Sequence, residues 1–130
     1  MRLYKLASEQ KVADAQFNLG SMYDHSQGST QNSTQALHWY KLAAAQGDKS
    51  ARNNLGYMYG KGEGIQKNEV QAYVWFDLAA SQGDTDAVKN RELMATTVSP
   101  QQLVQAKKLT RQCLASGFTR CDEKPVTNQP

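Results

Sequence analysis

Two short strings contain residue types that enzymes use for chemistry. Gly60-Lys61-Gly62-Glu63-Gly64 has the glycines and lysine of a phosphate-binding loop, and Ser8-Glu9-Gln10-Lys11 matches the S-x-x-K string of penicillin-binding enzymes. A phosphate loop needs the spacing G-x-x-x-x-G-K-[ST] between a strand and a helix, which this string lacks. The S-x-x-K chemistry needs companion S-D-N and K-T-G motifs, which are absent. We therefore interpret the first string as a left-handed turn between helices and Ser8 as an ordinary repeat position.

The histidines and cysteines form no catalytic or metal-ligand pattern. His25 and His38 are the only histidines, and the sequence pairs neither with a nucleophile. Cys113 and Cys121 make no Cys-x-x-Cys pair and have no histidine nearby, which argues against zinc. They are either two unrelated buried thiols or a disulfide that pins residues 118–121 back onto the helix of Cys113. Gly117 permits that reversal, and we favour the disulfide. We expect no catalytic residue, no metal and no cofactor.

Charge and hydropathy argue against two kinds of partner. Fifteen basic and twelve acidic residues give a net charge of +3, dispersed along the chain. A nucleic-acid-binding protein would show a clustered basic stripe. No apolar run is long enough for a membrane span, and no apolar run of the kind found in a signal peptide follows Arg2, so we expect none in this sequence. A disulfide would place the protein in the periplasm or outside the cell, with the cytoplasm as the alternative.

The elements that position these residues follow from an internal repeat of 36 residues. Residues 13–48 and 49–84 are identical at 17 of 36 aligned positions. A fixed period of this size is typical of stacked units that cannot bury their apolar faces alone. Each unit has two stretches with helical spacing, near 13–24 and 33–46 and again near 49–60 and 69–82. The sequence therefore predicts an all-α fold, a right-handed α-solenoid of antiparallel helix pairs with repeats of about 36 residues.

Local signals define the ends of these helices. Gln46-Gly47-Asp48 and Gln82-Gly83-Asp84 read as turns in which glycine ends one helix and aspartate caps the next. Ser33 or Thr34 is expected to cap the second helix, and Ser99 with Pro100 the last one. Gly20 and Gly56 recur at one phase, which indicates a close helix approach. We expect one domain over 1–121, followed by a flexible tail at 122–130. The domain comprises a partial repeat (1–12), two full repeats (13–48 and 49–84) and a capping helix pair (84–117).

These residues resemble the Sel1-like repeat family, relatives of the tetratricopeptide repeats. The second unit meets the pattern A-x-x-x-L-G-x-x-Y-x-x-G-x-G and then A-x-x-W-x-x-x-A-A-x-x-G in full, from Ala51 to Gly83. The stretch from Ser99 to Cys121 resembles the cysteine-containing C-terminal cap of bacterial members. The resemblance implies a protein–protein adaptor of unknown partner. The alternatives are a periplasmic inhibitor or immunity protein that neutralises a secreted toxin and, more remotely, an enzyme acting on cell-wall or β-lactam substrates.

A partner is expected on the concave side, which the first helix of each unit lines in helix-pair solenoids. Residues there that packing does not require are free to bind, and Phe17 and Tyr57 could be aromatic anchors. The alternative is that both rings pack against neighbouring helices. The predicted partner-binding residues are Asp14, Phe17, Ser21, Asp24, Asn53, Tyr57, Lys61 and Lys89.

The first residues read as the second half of a repeat. Leu3, Tyr4 and Leu6 match phases that face a first helix in later units. Either an upstream portion has been removed, which we favour, or the chain starts within a unit. We expect the exposed apolar edge to fray or to be covered by another chain, which includes self-association.

Overall fold

The structure, a computed structural model, describes residues 2–25, 30–117 and 121, with the side chains of 11–24, 32–117 and 121. This part of the chain forms six α-helices and contains no strand. They are α1 (Arg2–His25), α2 (Thr30–Ala45), α3 (Lys49–Lys61), α4 (Glu69–Ser81), α5 (Thr85–Thr97) and α6 (Pro100–Ala115). The helix pairs α1–α2 and α3–α4 stack through α2 and α3. The predicted all-α, right-handed solenoid of antiparallel helix pairs is confirmed.

The Gln-Gly-Asp turns join one helix pair to the next as predicted. Gly47 and Gly83 have φ values of 95° and 91°, a left-handed conformation that glycine adopts without strain. Asp48 then caps α3, where its carboxylate accepts the Ala51 N–H at 2.9 Å, and Asp84 caps α5 in the same way. Each such cap contributes about 1 kcal/mol. The connection between units is therefore set locally.

The recurring helical glycines lie against an aromatic ring of their own repeat. A Cβ at Gly20 would be 2.6 Å from Cδ1 of Tyr40, and a Cβ at Gly56 would be 2.4 Å from Cε1 of Phe76. Carbon atoms in contact are about 3.5–4.0 Å apart, so only glycine lets these rings approach so closely. The rings are 0% and 3% exposed. The close approach predicted from the recurring glycines is confirmed.

One apolar core runs through both repeats and into the last helix. Its buried residues come from α2, α3, α4 and α6, together with Cys121. The six largest fully buried side chains are Tyr40, Leu55, Met58, Leu78, Val74 and Cys113.

The N-terminal helix departs from the prediction of a partial repeat followed by a helix near 13–24. Instead α1 continues without a break over 24 residues. Lys11 and Val12 stand where Gly47 and Asp48 form the next turn. With neither a glycine to reverse the backbone nor a capping side chain, nothing ends the helix at this point. In the described ranges, no helix combines the length and apolar character needed to cross a membrane.

The second helix of the first repeat begins earlier than predicted. Ser33 and Thr34, the expected caps, lie inside α2, which starts at Thr30. In the second repeat Asn68 caps α4, and its own N–H donates to the Tyr59 carbonyl at 2.8 Å. That bond fixes the start of α4 where the sequence predicts it. The side chains of the proposed self-association edge (Leu3, Tyr4, Leu6), those of Ser8 and His25, and the tail at 122–130 lie outside what the structure describes.

The last two helices both pack against α4. The expected capping helix pair is therefore attached to the second repeat through α4. Ser99 caps α6, and its side chain and that of Gln102 form a capping box. Pro100 occupies the first helical position, as predicted.

The predicted disulfide is present. Cys113, at the end of α6, is bonded to Cys121. Both side chains are buried, and the Cys121 carbonyl accepts a hydrogen bond from the Gln71 amide of α4 at 3.0 Å. The disulfide thus ties the end of α6 and Cys121 to the second repeat.

A group of polar contacts, which we call the turn link, connects the two repeats at their turns. Arg52 donates to the Ala44 carbonyl at 3.0 Å and to the side-chain oxygen of Gln82 at 2.7 Å. The Gln82 amide donates in turn to the Gly47 carbonyl at 2.6 Å. Arg52 is only 3% exposed, and burial lowers the pKa of its guanidinium to about 10. The turn link thus satisfies the Ala44 carbonyl at the end of α2 and the Gly47 carbonyl of the turn with groups from the following repeat.

Tyr40 should make the protein sensitive to alkaline pH. Its hydroxyl donates to Asp24 at 3.1 Å, and burial, followed by the charge of Asp24, raises its pKa well above the ordinary value. Because the folded pKa exceeds the unfolded one, the stabilisation is complete below about pH 10. It is lost as pH rises further and the hydroxyl ionises in the unfolded chain. The free energy of unfolding should fall by about 1.4 kcal/mol per pH unit for this group.

The matched variant for this prediction is Tyr40→Phe, which copies Phe76 at the equivalent position. Its unfolding free energy should be less dependent on pH than that of the wild type. The comparison is made by urea denaturation at about pH 9, 10 and 11. Tyr73, whose pKa is also raised by burial and by Asp77, contributes equally to both proteins. An identical pH slope in the two proteins would contradict the prediction.

Candidate functional site

The side chain of Tyr57 lies at the centre of the surface formed by the first helices of the units. Its ring packs edge-to-face on Phe76 with centroids 5.6 Å apart, and its hydroxyl makes a long 3.4 Å contact with Asn90. The Lys61 ammonium lies 5.6 Å from the ring centroid. The ring is nevertheless 43% exposed. It is therefore held in one position while much of its surface faces solvent.

One small cavity, the apolar well, opens on one side of Tyr57. Its volume is about 190 Å³, and its walls come from α3, α4 and α5. Gly56 and Gly60 contribute to its wall, and the lining residue Leu93 is 68% exposed. The lining residues are Gly56, Tyr57, Gly60, Lys61, Phe76, Asn90, Leu93 and Met94.

A second cavity, the polar cleft, lies on the other side of the same ring. Its volume is about 390 Å³, and it spans α1, α3 and the loop after α3. The lining residues are Asp24, Asn54, Tyr57, Met58, Lys61 and Glu63. Two carboxylates and one ammonium give it one net negative charge at neutral pH. The hydroxyl of Tyr40 holds the Asp24 carboxylate in place from beneath.

The structure brings three of the predicted partner-binding residues together. Asp24, Tyr57 and Lys61 all line the polar cleft. Phe17 is half-buried, and its ring lies 5.6 Å from that of Tyr40, so it packs against the core. Phe17 therefore packs against a neighbouring helix, which was the alternative to a binding role. Tyr57 packs against Phe76 but also remains exposed.

Asn53 is a correction to the predicted surface. It is only 8% exposed, and its side-chain oxygen accepts a hydrogen bond from Asn90 at 3.1 Å. The helix turns this position toward α5, where it joins two helices. Asp14 and Lys89 are exposed and Ser21 is half-buried, but none of these three lines the well or the cleft.

Sequence reasoning missed several residues of this surface. Asn54 and Asn90 line the two cavities, and asparagine recurs at 18, 54 and 90, with the repeat period. That periodicity could have identified them. Glu63 belongs to the loop after α3, which differs between the repeats, so that no periodic signal pointed to it.

The glycine-rich loop is a turn between helices, as predicted. Gly62 and Gly64 have φ values of 78° and 72°. A Cβ at Gly64 would come within 2.7 Å of the Ser33 backbone, so the loop packs closely against the start of α2. The loop backbone therefore packs against the preceding repeat. In the described ranges, no three His, Cys, Asp or Glu side chains are grouped so that they could hold a metal ion.

A larger cavity, the capping cleft, lies between the last three helices. It has a volume of about 580 Å³. Arg91 of α5 and Asp77 of α4 both line it and form a salt bridge of 3.2 Å. Burial lowers the pKa of Arg91, but the hydrogen bond and charge of Asp77 outweigh this and raise it. The lining residues are Tyr73, Asp77, Arg91, Glu92, Ala95, Leu103, Lys107, Thr110 and Arg111.

Comparison with known proteins agrees with the repeats read from the sequence. The family model of the Sel1 repeat matches residues 13–48 and 49–84. The chain belongs to the Sel1 repeat family. The resemblance drawn from its motifs is thus confirmed, and the disulfide supports the cysteine-containing cap. No curated protein matches this Sel1 repeat chain.

A solved structure shows the same type of fold. It is the crystal structure of a protective antigen, present in uropathogenic Escherichia coli strains, that displays an SLR (Sel1-like repeat) fold. The match has 26% sequence identity and a TM-score of 0.56, and it covers 95% of this Sel1 repeat chain. The chain corresponds to 35% of the length of that antigen. Family and fold together indicate a protein-interaction repeat module.

Proposed function

We propose that this Sel1 repeat chain is an adaptor that binds a protein partner across the first helices of its repeats, without catalysis. Repeats of this family are typically non-catalytic protein-binding scaffolds. The observation that carries the proposal is Tyr57, an aromatic side chain that is packed and exposed at once. Tyrosines held in this way and surrounded by polar groups dominate the energy of many protein interfaces.

The fixed position of the ring favours binding. Phe76 supports the Tyr57 ring from α4, Asn90 meets its hydroxyl from α5, and Lys61 lies over its face. A side chain that is already ordered loses little conformational entropy when a partner arrives. The cavities on its two sides provide room for side chains of the partner.

Substitution of Tyr57 by alanine should weaken partner binding by about tenfold or more. Quantitative mass spectrometry of proteins captured from the source organism would compare wild type with Tyr57→Ala. The partner should be enriched by the wild type and lost from the variant. The melting temperature should fall by only a few degrees, since the edge-to-face contact contributes about 1 kcal/mol.

Val104→Ala is the matched control, because Val104 is a 55% exposed apolar residue on α6. It should retain the partner. If Tyr57→Ala captures the partner as well as the wild type does, the binding surface lies elsewhere. If Tyr57→Ala unfolds the protein, Tyr57 is a core residue and the proposal fails.

The disulfide supports an oxidising location, the periplasm or the exterior of the cell, because such bonds persist there. A second candidate function that is compatible with this location is a periplasmic inhibitor that neutralises a secreted toxin. An assay of the activity of the purified partner, with and without this protein, distinguishes the two roles. An inhibitor should abolish the activity of its partner at an equimolar ratio, whereas an adaptor should leave that activity intact.

A further inference from the structure

The geometry points to a partner segment that is extended and carries a basic side chain and an apolar side chain two residues apart. The basic side chain enters the polar cleft and the apolar one enters the apolar well. This inference rests on the proposed function, because it names the chemistry of the partner for the same surface.

The apolar well selects the apolar side chain. The rings of Phe76 and Tyr57 line it together with the exposed Leu93 and with Met94. Its volume of about 190 Å³ holds a single side chain. An aliphatic side chain placed there removes from water both its own surface and that of the exposed leucine.

The polar cleft selects the basic side chain by charge. Asp24 and Glu63 outnumber Lys61, so the cleft attracts a cation. The face of the Tyr57 ring already lies near one ammonium, at 5.6 Å from Lys61. An arriving guanidinium can stack on the same ring face and pair with the carboxylates. Lys61 sits at the exposed end of α3 and has a flexible chain with which to move aside.

The spacing follows from the wall that the cavities share. Tyr57 and Lys61 line both of them, so the two openings are separated by about the width of one side chain. In an extended peptide, residues i and i+2 point to the same side and lie about 6.5–7 Å apart. An extended basic–x–apolar segment thus matches the surface in charge, polarity and spacing.

The test uses three synthetic pentapeptides with blocked ends. Each contains the sequence X-Ser-Leu, in which X is arginine, serine or glutamate. Titration into ¹⁵N-labelled protein, followed by amide chemical shifts, gives the affinities and the residues contacted. The arginine peptide should bind about fivefold more tightly than the glutamate peptide at low salt, with the serine peptide between them. Shifts should concentrate around Tyr57, and replacing the leucine by serine should cost about tenfold.

Two protein variants that change the charge of the polar cleft in opposite directions test the inference further. Glu63→Gln should reduce the preference for arginine, and Lys61→Gln should increase it, each by about two- to threefold. The inference is overturned if the arginine and glutamate peptides bind equally, or if Glu63→Gln leaves the preference unchanged. Loss of the natural partner on Tyr57→Ala, without any such charge preference, would leave the proposed function standing and reject only the basic–apolar segment. If Tyr57→Ala retains the natural partner, the proposed function itself fails.

Discussion

Gly56→Ala is expected to lower the free energy of unfolding by about 2 kcal/mol. The new methyl group would lie 2.4 Å from the Phe76 ring, which is buried and cannot turn away freely. Overpacking of this kind costs about 1–3 kcal/mol. Alanine also gains up to about 1 kcal/mol in helix propensity over glycine, but a clash with a buried ring outweighs that gain. Urea denaturation measures the difference directly.

Gly60→Ala, in the same helix, is the matched control. A Cβ at Gly60 would meet Met94 at 3.4 Å and Ala72 at 3.6 Å, which are ordinary contacts. This variant should therefore be neutral or gain up to about 1 kcal/mol. The double variant Gly56→Ala/Phe76→Leu should be more stable than the sum of its single effects, since the smaller side chain makes room. If Gly56→Ala and Gly60→Ala behave alike, the ring contact does not explain the glycine.

Removing the disulfide is expected to destabilise the fold by about 3 kcal/mol. The bond closes a loop between Cys113 and Cys121, which are eight residues apart. A loop of this size contributes about 2.5 kcal/mol by restricting the unfolded chain. When Cys121 leaves, the buried Gln71 amide also loses the carbonyl to which it donates, which adds a smaller cost. The variant Cys113→Ala/Cys121→Ala, compared with the oxidised wild type by urea denaturation, measures the total.

The reductant dependence provides the control for this experiment. Dithiothreitol should destabilise the wild type by a similar amount and leave the double alanine variant unchanged. Amide exchange should rise first at the end of α6 and around Gln71. A wild type that unfolds at the same urea concentration with and without reductant would contradict the expected stabilisation.

The parts of the fold that the sequence predicted are those set by neighbouring residues. The turn at Gly47 and Asp48 and the capping box of Ser99 need only local backbone geometry, so their signals are explicit in the sequence. The continuous α1 follows from the same rule, because Lys11 and Val12 remove the turn signal. The missing turn signal can be read in the sequence, but the 36-residue period favoured a helix boundary near residue 12.

The remaining features depend on which face of a helix meets another helix. Repeat phase placed Asn53 on the binding surface, yet its side chain is buried and accepts a hydrogen bond from Asn90 of α5. Trp39 and Trp75 recur in the second helix of each unit and made that helix predictable. The rings that contact the helical glycines are nevertheless those of Tyr40 and Phe76. The candidate site was therefore found through Tyr57, Lys61 and Asp24, while its two cavities became visible only in three dimensions.

The turn link has a consequence for how the array melts. In a linear stack, each unit contributes its own folding free energy plus a coupling to its nearest neighbour. Arg52 belongs to the second repeat and donates to the Ala44 carbonyl of the first, so opening either repeat breaks this contact and removes part of the coupling between them. The polar side chains at the turns thus add to the coupling energy, and we expect them to favour unfolding of the two repeats in one step.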